Sequence, residues 1–217
     1  SCMHNPLPIR IALAVLALFV AAAPARADWP SSATVNLPVC TAANRQLIPA
    51  VAPDLLGGAY IAWQDLRSGV DTDIYAMHVL ASGVTDPAWP LDGLSVCSAP
   101  GNQSFAKLVP DGAGGVLLAW TDLRSGSNDV YAHHIRSDAT FEPGWPANGL
   151  PVCTSVGGQI LLASTSMVSD QAGGAIIAWR DTRNDSDLYA ARILSTGQLD
   201  PTWPAGGLPV VAAPGAQ

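Results

Sequence analysis

Short apolar stretches separated by turn residues recur along most of this chain. In its middle third they cover residues 105–109, 116–122, 129–136 and 150–153. The first two are joined by an Asp-x-x-Gly-Gly turn, where glycine supplies the positive φ that a tight reversal requires. Stretches of this length, bounded by glycine and polar residues, are typical of β-strands. The pattern therefore predicts an antiparallel unit of four short strands.

This unit occurs three times in the chain. A segment of the form aliphatic-Ala-Trp-x-Asp-x-Arg covers residues 61–67, 118–124 and 177–183, and corresponding positions lie 56 to 59 residues apart. Such internal periodicity indicates a repeat architecture. We expect approximate repeats over 41–98, 99–154 and 155–211, with a partial further repeat at the C-terminus. The shared positions, which we interpret as structural, are Trp63, Trp120, Trp179, Asp65, Asp122, Asp181, Arg67, Arg124 and Arg183.

The second strand of each unit is apolar on both faces. In the first unit, Ala59, Ile61 and Trp63 share one face, and Tyr60 and Ala62 share the other. A strand of this kind must be covered on both sides, so each small sheet should lie between two others. We therefore predict an all-β, β-propeller-like arc of three four-stranded antiparallel blades, with the indoles in the core rather than stacked on a ligand.

Three blades form an incomplete ring, because propellers close with roughly 4 to 8 blades. Two explanations stay open at this point: the sequence is a fragment of a longer protein, or several chains assemble to complete the ring. We favour the fragment.

The repeated motifs also carry a family resemblance. The string Asp-x-x-Gly-Gly, Ala-Trp-x-Asp-x-Arg, Asp-Ile-Tyr-Ala and a downstream Trp resembles the tandem β-propeller-type repeats of exported bacterial repeat proteins. The resemblance covers essentially the whole chain after residue 27 and implies a propeller fold, but no single reaction unites that family. Its members usually have Gln-Arg after Tyr-Ala, where this chain has Met77-His78, His133-His134 and Ala191-Arg192.

The N-terminal region predicts export. Residues 11–23 form an unbroken apolar run that follows Arg10 and precedes Ala25-Arg26-Ala27, with small residues at the positions that a signal peptidase reads. The run is shorter than the roughly 20 residues that span a bilayer. We expect a signal peptide over 1–27, propeller-type repeats over 28–217, and a secreted or periplasmic protein without membrane association after removal of the leader.

Charge limits the class of partner. The chain has a formal net charge of −7, and Lys107 is its only lysine. Binding to phosphate backbones requires a basic surface, so we expect no nucleic-acid partner. We expect instead an extracellular glycan or protein, together with further blades from missing sequence or from other chains.

Three cysteines of the repeats occupy one equivalent position. Cys40, Cys97 and Cys153 are followed at the next occurrence by Val211. A site that accepts valine in place of cysteine indicates a small buried apolar slot, which we favour over a disulfide or a metal ligand.

Aspartates flank the same loop in every unit, in the pairs Asp65/Asp73, Asp122/Asp129 and Asp181/Asp187. One hypothesis is a calcium site in each blade, since calcium takes several oxygen ligands. The spacing drifts from eight to seven to six residues, which a shared coordination cage should not tolerate. We favour an ion pair between the first aspartate and the arginine two residues later, and we expect no metal and no cofactor.

No motif of a known catalytic type occurs, including a nucleophile elbow, a phosphate-binding loop and His-Glu-x-x-His. The only glutamate, Glu142, occupies the repeat position of Asp86 and Asp200 and is interpreted as their structural equivalent. We expect no catalytic residues and favour a non-enzymatic protein. The alternative is a partial propeller of a secreted hydrolase or lyase whose catalytic residues lie in missing blades.

Differences between the repeats indicate where a ligand could bind. Gln64, Thr121 and Arg180 follow the repeated tryptophan near a strand end, and we expect them, with His133, on an exposed rim. Neutral drift on a solvent-exposed face explains the same differences. The sequence as a whole predicts an exported, non-enzymatic β-propeller repeat module for binding, adhesion or extracellular scaffolding.

Overall fold

The computed structural model describes residue 34 and residues 36–161 and 166–211. The predicted signal peptide lies outside these residues. The described part of the chain is all-β, with thirteen strands and no helix. It accordingly contains no helix with the length and hydropathy needed to cross a membrane.

The strands form three antiparallel sheets in chain order. The first sheet consists of β1 (Gln46–Pro53), β2 (Ala59–Asp65), β3 (Asp73–Val79) and β4 (Leu94–Cys97). The second consists of β5 (Gln103–Pro110), β6 (Val116–Asp122), β7 (Asp129–Ile135) and β8 (Leu150–Cys153). The third consists of β9 (Gln159–Ile160), β10 (Met167–Ser169), β11 (Ala175–Asp181), β12 (Asp187–Ile193) and β13 (Leu208–Val211).

Each sheet is an open meander, and none of them closes into a ring. In the third sheet β9 and β10 both pair with β11, so that two short strands take the place that one bulged strand takes in the other sheets. The strands predicted over 116–122 and 150–153 are confirmed at both ends. The strand predicted over 105–109 lies inside β5, which begins two residues earlier.

The three sheets use the same register. Trp63 lies opposite Tyr75 across the β2–β3 pair, and Trp120 lies opposite Tyr131 in the β6–β7 pair. The third sheet repeats this arrangement, because its equivalent tryptophan on β11 also faces a tyrosine on β12. Equivalent residues of the sequence therefore occupy equivalent places in each sheet.

The sheets stack face to face through their apolar side chains. Tyr60 and Ala62 on the first sheet belong to one buried cluster with Leu118 and Trp120 on the second sheet. The opposite face of β6, which carries Leu117, packs in a second cluster with the Trp-bearing face of the third sheet. All seven residues of β6 are buried as a result. The predicted two-sided covering of a blade is thus present at the second sheet.

The two outer faces of this stack are covered less completely. Over the Trp63 face of the first sheet, Val39 and Cys40 are partly buried against the core, beside a cavity of about 430 Å³ that Ile61 also lines. On the outer face of the third sheet, Leu188 is exposed. The Trp-bearing face of the first sheet therefore lies on one outer side of the stack. On the other outer side lies the face of the third sheet that does not carry the repeated tryptophan.

Candidate functional site

A buried ion pair lies beside the repeated tryptophan of every sheet. The distance from Arg67 Nη2 to Asp65 Oδ2 is 2.7 Å, and the equivalent distances in the second and third sheets are both 2.6 Å. The same carboxylate oxygen of Asp65 accepts a hydrogen bond from the Trp63 indole at 2.8 Å. The expected ion pair is therefore confirmed, and it also holds the indole.

The arginine of this pair reaches beyond its own hairpin. The Arg124 guanidinium lies 4.0 Å from the centre of the Tyr131 ring and donates to the carbonyl of Asn148 at 2.8 Å. It also donates to the thiol of Cys97, which is the last residue of the first sheet. The prediction of an apolar slot for the cysteines is wrong in this respect, because Cys97 is buried against a guanidinium as well as against apolar groups. Cys40, Cys97 and Cys153 are all free thiols.

These aspartates are ionised. Burial alone would raise the pKa of Asp122, but hydrogen bonds from Arg124 and from the Trp120 indole outweigh burial and lower it. The pKa of Asp65 is lowered for the same reasons by Arg67 and Trp63. A carboxylate that is ionised and paired with arginine cannot serve as a general acid. Each of these aspartates joins the tryptophan and the arginine of its own sheet.

The loop aspartates of the first sheet lie close to each other. Asp73 lies directly opposite Asp65 in the register of β2 and β3. Burial, with the nearby charges of Asp71 and Asp65, raises the pKa of Asp73 to about 6. Across the residues that the structure describes, no three His, Cys, Asp or Glu side chains are arranged to hold a metal ion.

A second polar cluster lies where each third strand ends, and we call it the acid–base–acid cluster. In the first sheet the ring of His78 lies between two carboxylates, with Nε2 3.0 Å from Asp54 and Nδ1 2.8 Å from Asp86. In the third sheet Arg192 takes this place, 2.7 Å from Asp170 and 3.3 Å from Asp200. The basic side chain thus joins the turn after the first strand to the loop after the third.

The first of these clusters also contacts the next sheet. The Tyr60 ring stacks on His78, with centroids 4.4 Å apart, and its hydroxyl donates to the carbonyl of Gly114 in the turn of the second sheet. The indole of Trp89 donates to the carbonyl of Ser137, also in the second sheet, at 3.0 Å. These two bonds fix the stacking of the sheets at this end.

The second sheet has an incomplete version of the cluster. His134 Nε2 lies 2.8 Å from Asp111, as the pattern requires, but no group in the described structure bonds to the buried Nδ1. Glu142, at the position of Asp86, instead lies 3.6 Å from Arg136. A cavity of about 370 Å³ opens beside these groups, between the second and third sheets, and is lined by Asp111, His134, Glu142, Gly173, Ser195 and Thr196.

The residues that the sequence suggested for an exposed rim lie elsewhere. Gln64 is 6% exposed and Thr121 2%, so both are buried. Thr121 Oγ1 accepts a hydrogen bond from the backbone N–H of Leu161, which directly follows β9 of the third sheet. The reason is the pleat of the strand, because the residue after the tryptophan shares the face that packs on the next sheet. Arg180 is half-buried on the outer face of the third sheet.

The prediction of an exposed rim is also wrong for His133. It is 1% exposed and stacks on Phe141, with ring centroids 4.1 Å apart. Burial lowers the pKa of His133 to about 4, so the ring is neutral near pH 7. The structure therefore does not bring Gln64, Thr121, Arg180 and His133 together on one surface.

The cavity residues were missed because no short motif contains them. Asp111 and His134 are 23 residues apart, and the basic residue of this cluster is histidine in two units and arginine in the third. The available signal was that the position of His134 is basic in all three units while two acidic positions also repeat. A scan against protein-family models finds no match to the chain, and a search of curated proteins finds no similar protein.

Proposed function

We propose that this chain is an exported, non-enzymatic module of β-propeller type that serves binding, adhesion or extracellular scaffolding. The observation that carries the proposal is the repeated stacking of equivalent sheet faces. The Tyr60 face of the first sheet packs on the Trp120 face of the second, and the Leu117 face of the second packs on the Trp179 face of the third. When the same rotation relates each sheet to the next, further sheets added in this way form a closed ring if the rotation angle divides a full turn.

The outer faces support the same arrangement. The Trp63 face of the first sheet is equivalent to the Trp120 and Trp179 faces, each of which packs against the sheet before it. The outer face of the third sheet is equivalent to the Tyr60 and Leu117 faces, each of which packs against the sheet after it. Exposed Leu188 and the cavity beside Trp63 mark apolar surface that further blades, from this or other chains, would cover. Closure of a propeller hides such surface.

The internal hydrogen bonds of the buried aspartates support a non-enzymatic role. Asp65 and Asp122 are held by arginine and tryptophan, and Asp54 accepts hydrogen bonds from the backbone of Leu56 and Gly58. Groups used in this way hold turns and sheets in place. The apolar run before residue 27 supports export, and the acidic charge favours a glycan or protein partner over a nucleic acid.

Binding can be tested with the purified chain over residues 28–217. The labelled protein is applied to a glycan array and to a panel of purified extracellular proteins, with the urea-unfolded chain as control. The proposal predicts at least one partner that the folded chain binds and the unfolded chain does not. Consistent absence of binding under folded conditions would contradict a recognition role.

Blade closure by other copies has a separate test. Light scattering at micromolar concentration measures the mass of the wild type and of Ile61→Glu, which places a charge on the Trp63 face. Closure by other copies predicts an oligomer that Ile61→Glu dissociates. A strict monomer for the wild type excludes a ring made from several chains.

A further inference from the structure

We propose that a cavity in the third sheet, beside Trp203, binds a small flat aromatic ring such as an imidazole, in the place that a side chain of the protein fills in the other two sheets. The inference rests on the proposed binding function and assigns to it one place and one ligand chemistry. It depends on the difference between Ala191 and the two residues at its repeat position, Met77 and His133.

These three residues occupy the same place on the third strand of their sheets. Each of them lies two positions after the tyrosine that faces the repeated tryptophan, and each faces an aliphatic residue of the second strand. Met77 is 2% exposed and His133 is 1% exposed, so both side chains fill the interior at this point. Alanine at the third position lacks every atom beyond Cβ.

The second sheet shows the shape of a group that fits this place. The His133 ring stacks on Phe141, with centroids 4.1 Å apart, and on Trp145, with centroids 5.8 Å apart and planes inclined by 12°. Burial lowers the pKa of His133 to about 4, so the ring held there is neutral. The space beside this tryptophan therefore accepts a flat, uncharged ring.

The third sheet keeps the walls of this space but lacks the ring. Leu199 corresponds to Phe141, since each of them bridges to the last residue of the third strand, and Trp203 corresponds to Trp145. Leu199, Trp203 and Ala191 line a cavity of about 270 Å³. Trp145 is buried, whereas Trp203 is half-buried. A smaller residue leaves a cavity of this kind when its surroundings do not collapse into the space.

The size of the cavity suits a single ring. Its volume of about 270 Å³ lies just below the roughly 300–1,000 Å³ of pockets for larger ligands. An apolar cavity of about 150 Å³ is already sufficient to bind benzene. The volume therefore selects one ring over an extended ligand.

The edge of the cavity carries hydrogen-bonding groups. Arg192 and Asp200, which belong to the acid–base–acid cluster of the third sheet, both line it. Three N–H groups of Arg192 donate to Asp170 and Asp200, and a guanidinium has five such groups. A neutral imidazole has one N–H and one lone pair, so it offers a donor for Asp200 and an acceptor for Arg192. An anionic ligand would meet two carboxylates and only one arginine.

The test is an NMR titration of the chain over residues 28–217 at pH 9, following the indole N–H of Trp203 and the methyl group of Ala191. The probe is 4-methylimidazole, the histidine side chain as a free molecule, which is neutral at this pH because the ordinary pKa of histidine is about 6.5. The comparison probe is tetrahydropyran, a puckered ring of similar size and the skeleton of a pyranose. We expect a saturable upfield shift of the Ala191 methyl with 4-methylimidazole and binding of tetrahydropyran at least tenfold weaker.

Two variants copied from the other sheets fill the cavity. Ala191→His reproduces the second sheet and Ala191→Met reproduces the first, so both should keep the fold. Each is expected to weaken binding of 4-methylimidazole tenfold or more. Met77→His, which exchanges the same two fillers in the first sheet, should leave the binding unchanged.

The reciprocal variant is His133→Ala, which removes the ring from the second sheet. We expect it to create a second site, so that two molecules of 4-methylimidazole bind to each chain. The probe should also raise the Tm of this variant more than that of the wild type, because a ligand that binds the folded state stabilises it at each site.

A further probe distinguishes the two sources of such a ring. Nα-acetyl-histidine methylamide presents the imidazole on a peptide backbone. Binding at least as tight as that of 4-methylimidazole assigns the site to a side chain of a protein partner. Binding of 4-methylimidazole alone assigns it to a free ring compound.

Four results would overturn the proposal: no saturable shift with 4-methylimidazole, equal affinity for tetrahydropyran, unaltered affinity in both folded Ala191 variants, or a single site in folded His133→Ala. Array binding by the wild type together with any of these results would refute the ring site alone. Loss of array binding with an intact Ala191 shift would instead contradict the wider function.

Discussion

Arg124 of the second sheet donates a hydrogen bond to the Cys97 thiol of the first, with 3.1 Å between Nη2 and Sγ. The same guanidinium neutralises the fully buried carboxylate of Asp122. Arg183 repeats the contact with Cys153 between the second and third sheets, at 3.2 Å. One arginine in each of these sheets therefore couples a buried ion pair to the last strand of the preceding sheet.

Removal of this arginine is expected to be strongly destabilising. Arg124→Met leaves the charge of Asp122 buried without its partner, and loss of one member of a buried ion pair costs about 3–5 kcal/mol. Arg136→Met is the matched control, because its pair with Glu142 is solvent-exposed and should contribute about 1 kcal/mol or less. Urea unfolding measures both values. Equal effects of the two substitutions would contradict the structural role of Arg124.

A close approach between Gly149 and Trp120 predicts a second stability effect. A Cβ on Gly149 would lie 2.5 Å from Cη2 of the indole, and the residue has a φ of 97°. Gly126 has a similar φ of 92° but open space around it. Gly126→Ala should cost about 1 kcal/mol through backbone strain alone. Gly149→Ala should cost about 3 kcal/mol because overpacking is added, and unfolding curves that show no difference would contradict the contact.

The opposed aspartates predict a dependence of stability on pH. Because the pKa of Asp73 is raised to about 6, the folded chain binds a proton more tightly than the unfolded chain between about pH 4 and 6. This contribution to stability is complete below that window and is lost as pH rises through it. Asp73→Asn should therefore stabilise the chain at pH 8, by on the order of 1 kcal/mol.

Unfolding of Asp73→Asn and of the wild type at several pH values measures this effect. The difference should shrink toward zero near pH 4, where the carboxyl of the folded wild type is already protonated. A gain in stability that stays constant from pH 4 to pH 8 would show that the charge of Asp73 is not its cause.

Burial of the thiols predicts a difference in their reactivity. Burial raises the pKa of Cys97 to about 12, while Cys40 is partly exposed. Since the thiolate is the reactive form, iodoacetamide at pH 8 should modify Cys97 on the order of a hundredfold more slowly than Cys40. Mass spectrometry of the peptides gives both rates, with urea-unfolded chain as the control in which they converge. Rapid labelling of Cys97 in the folded chain would contradict its burial between the sheets.

The sequence predicted the strands well because their signal is local. Alternation along β2 correctly assigned Ile61 and Trp63, which line one cavity, to one face and Tyr60, which bonds to Gly114 of the second sheet, to the other. The pair of Asp65 and Arg67 was also predictable, since they are two positions apart and both recur in every unit. The equivalence of the three repeats extended the prediction from one sheet to all three.

The candidate site could not be read in the same way because its residues meet only in three dimensions. His134 and Asp111 approach when the turn after β5 comes beside the end of β7, and Ser195 comes from another sheet. Gln64 and Thr121 were misassigned because their polarity indicated exposure, whereas the pleat directs them into the contact between sheets. Polarity at a single position is a weaker guide than the face on which the residue lies.

The most direct test of the account is the face-to-face stacking of successive sheets, measured by nuclear Overhauser effects in solution. The ring of Tyr60 in the first sheet bonds to Gly114 in the second, and the Trp89 indole bonds to Ser137. This stacking predicts cross-peaks from the Tyr60 ring to the α protons of Gly114 and Gly115, and from the Trp89 indole proton to Ser137 or Asp138. Absence of both sets, in spectra that show the strand pairs within each sheet intact, would contradict it.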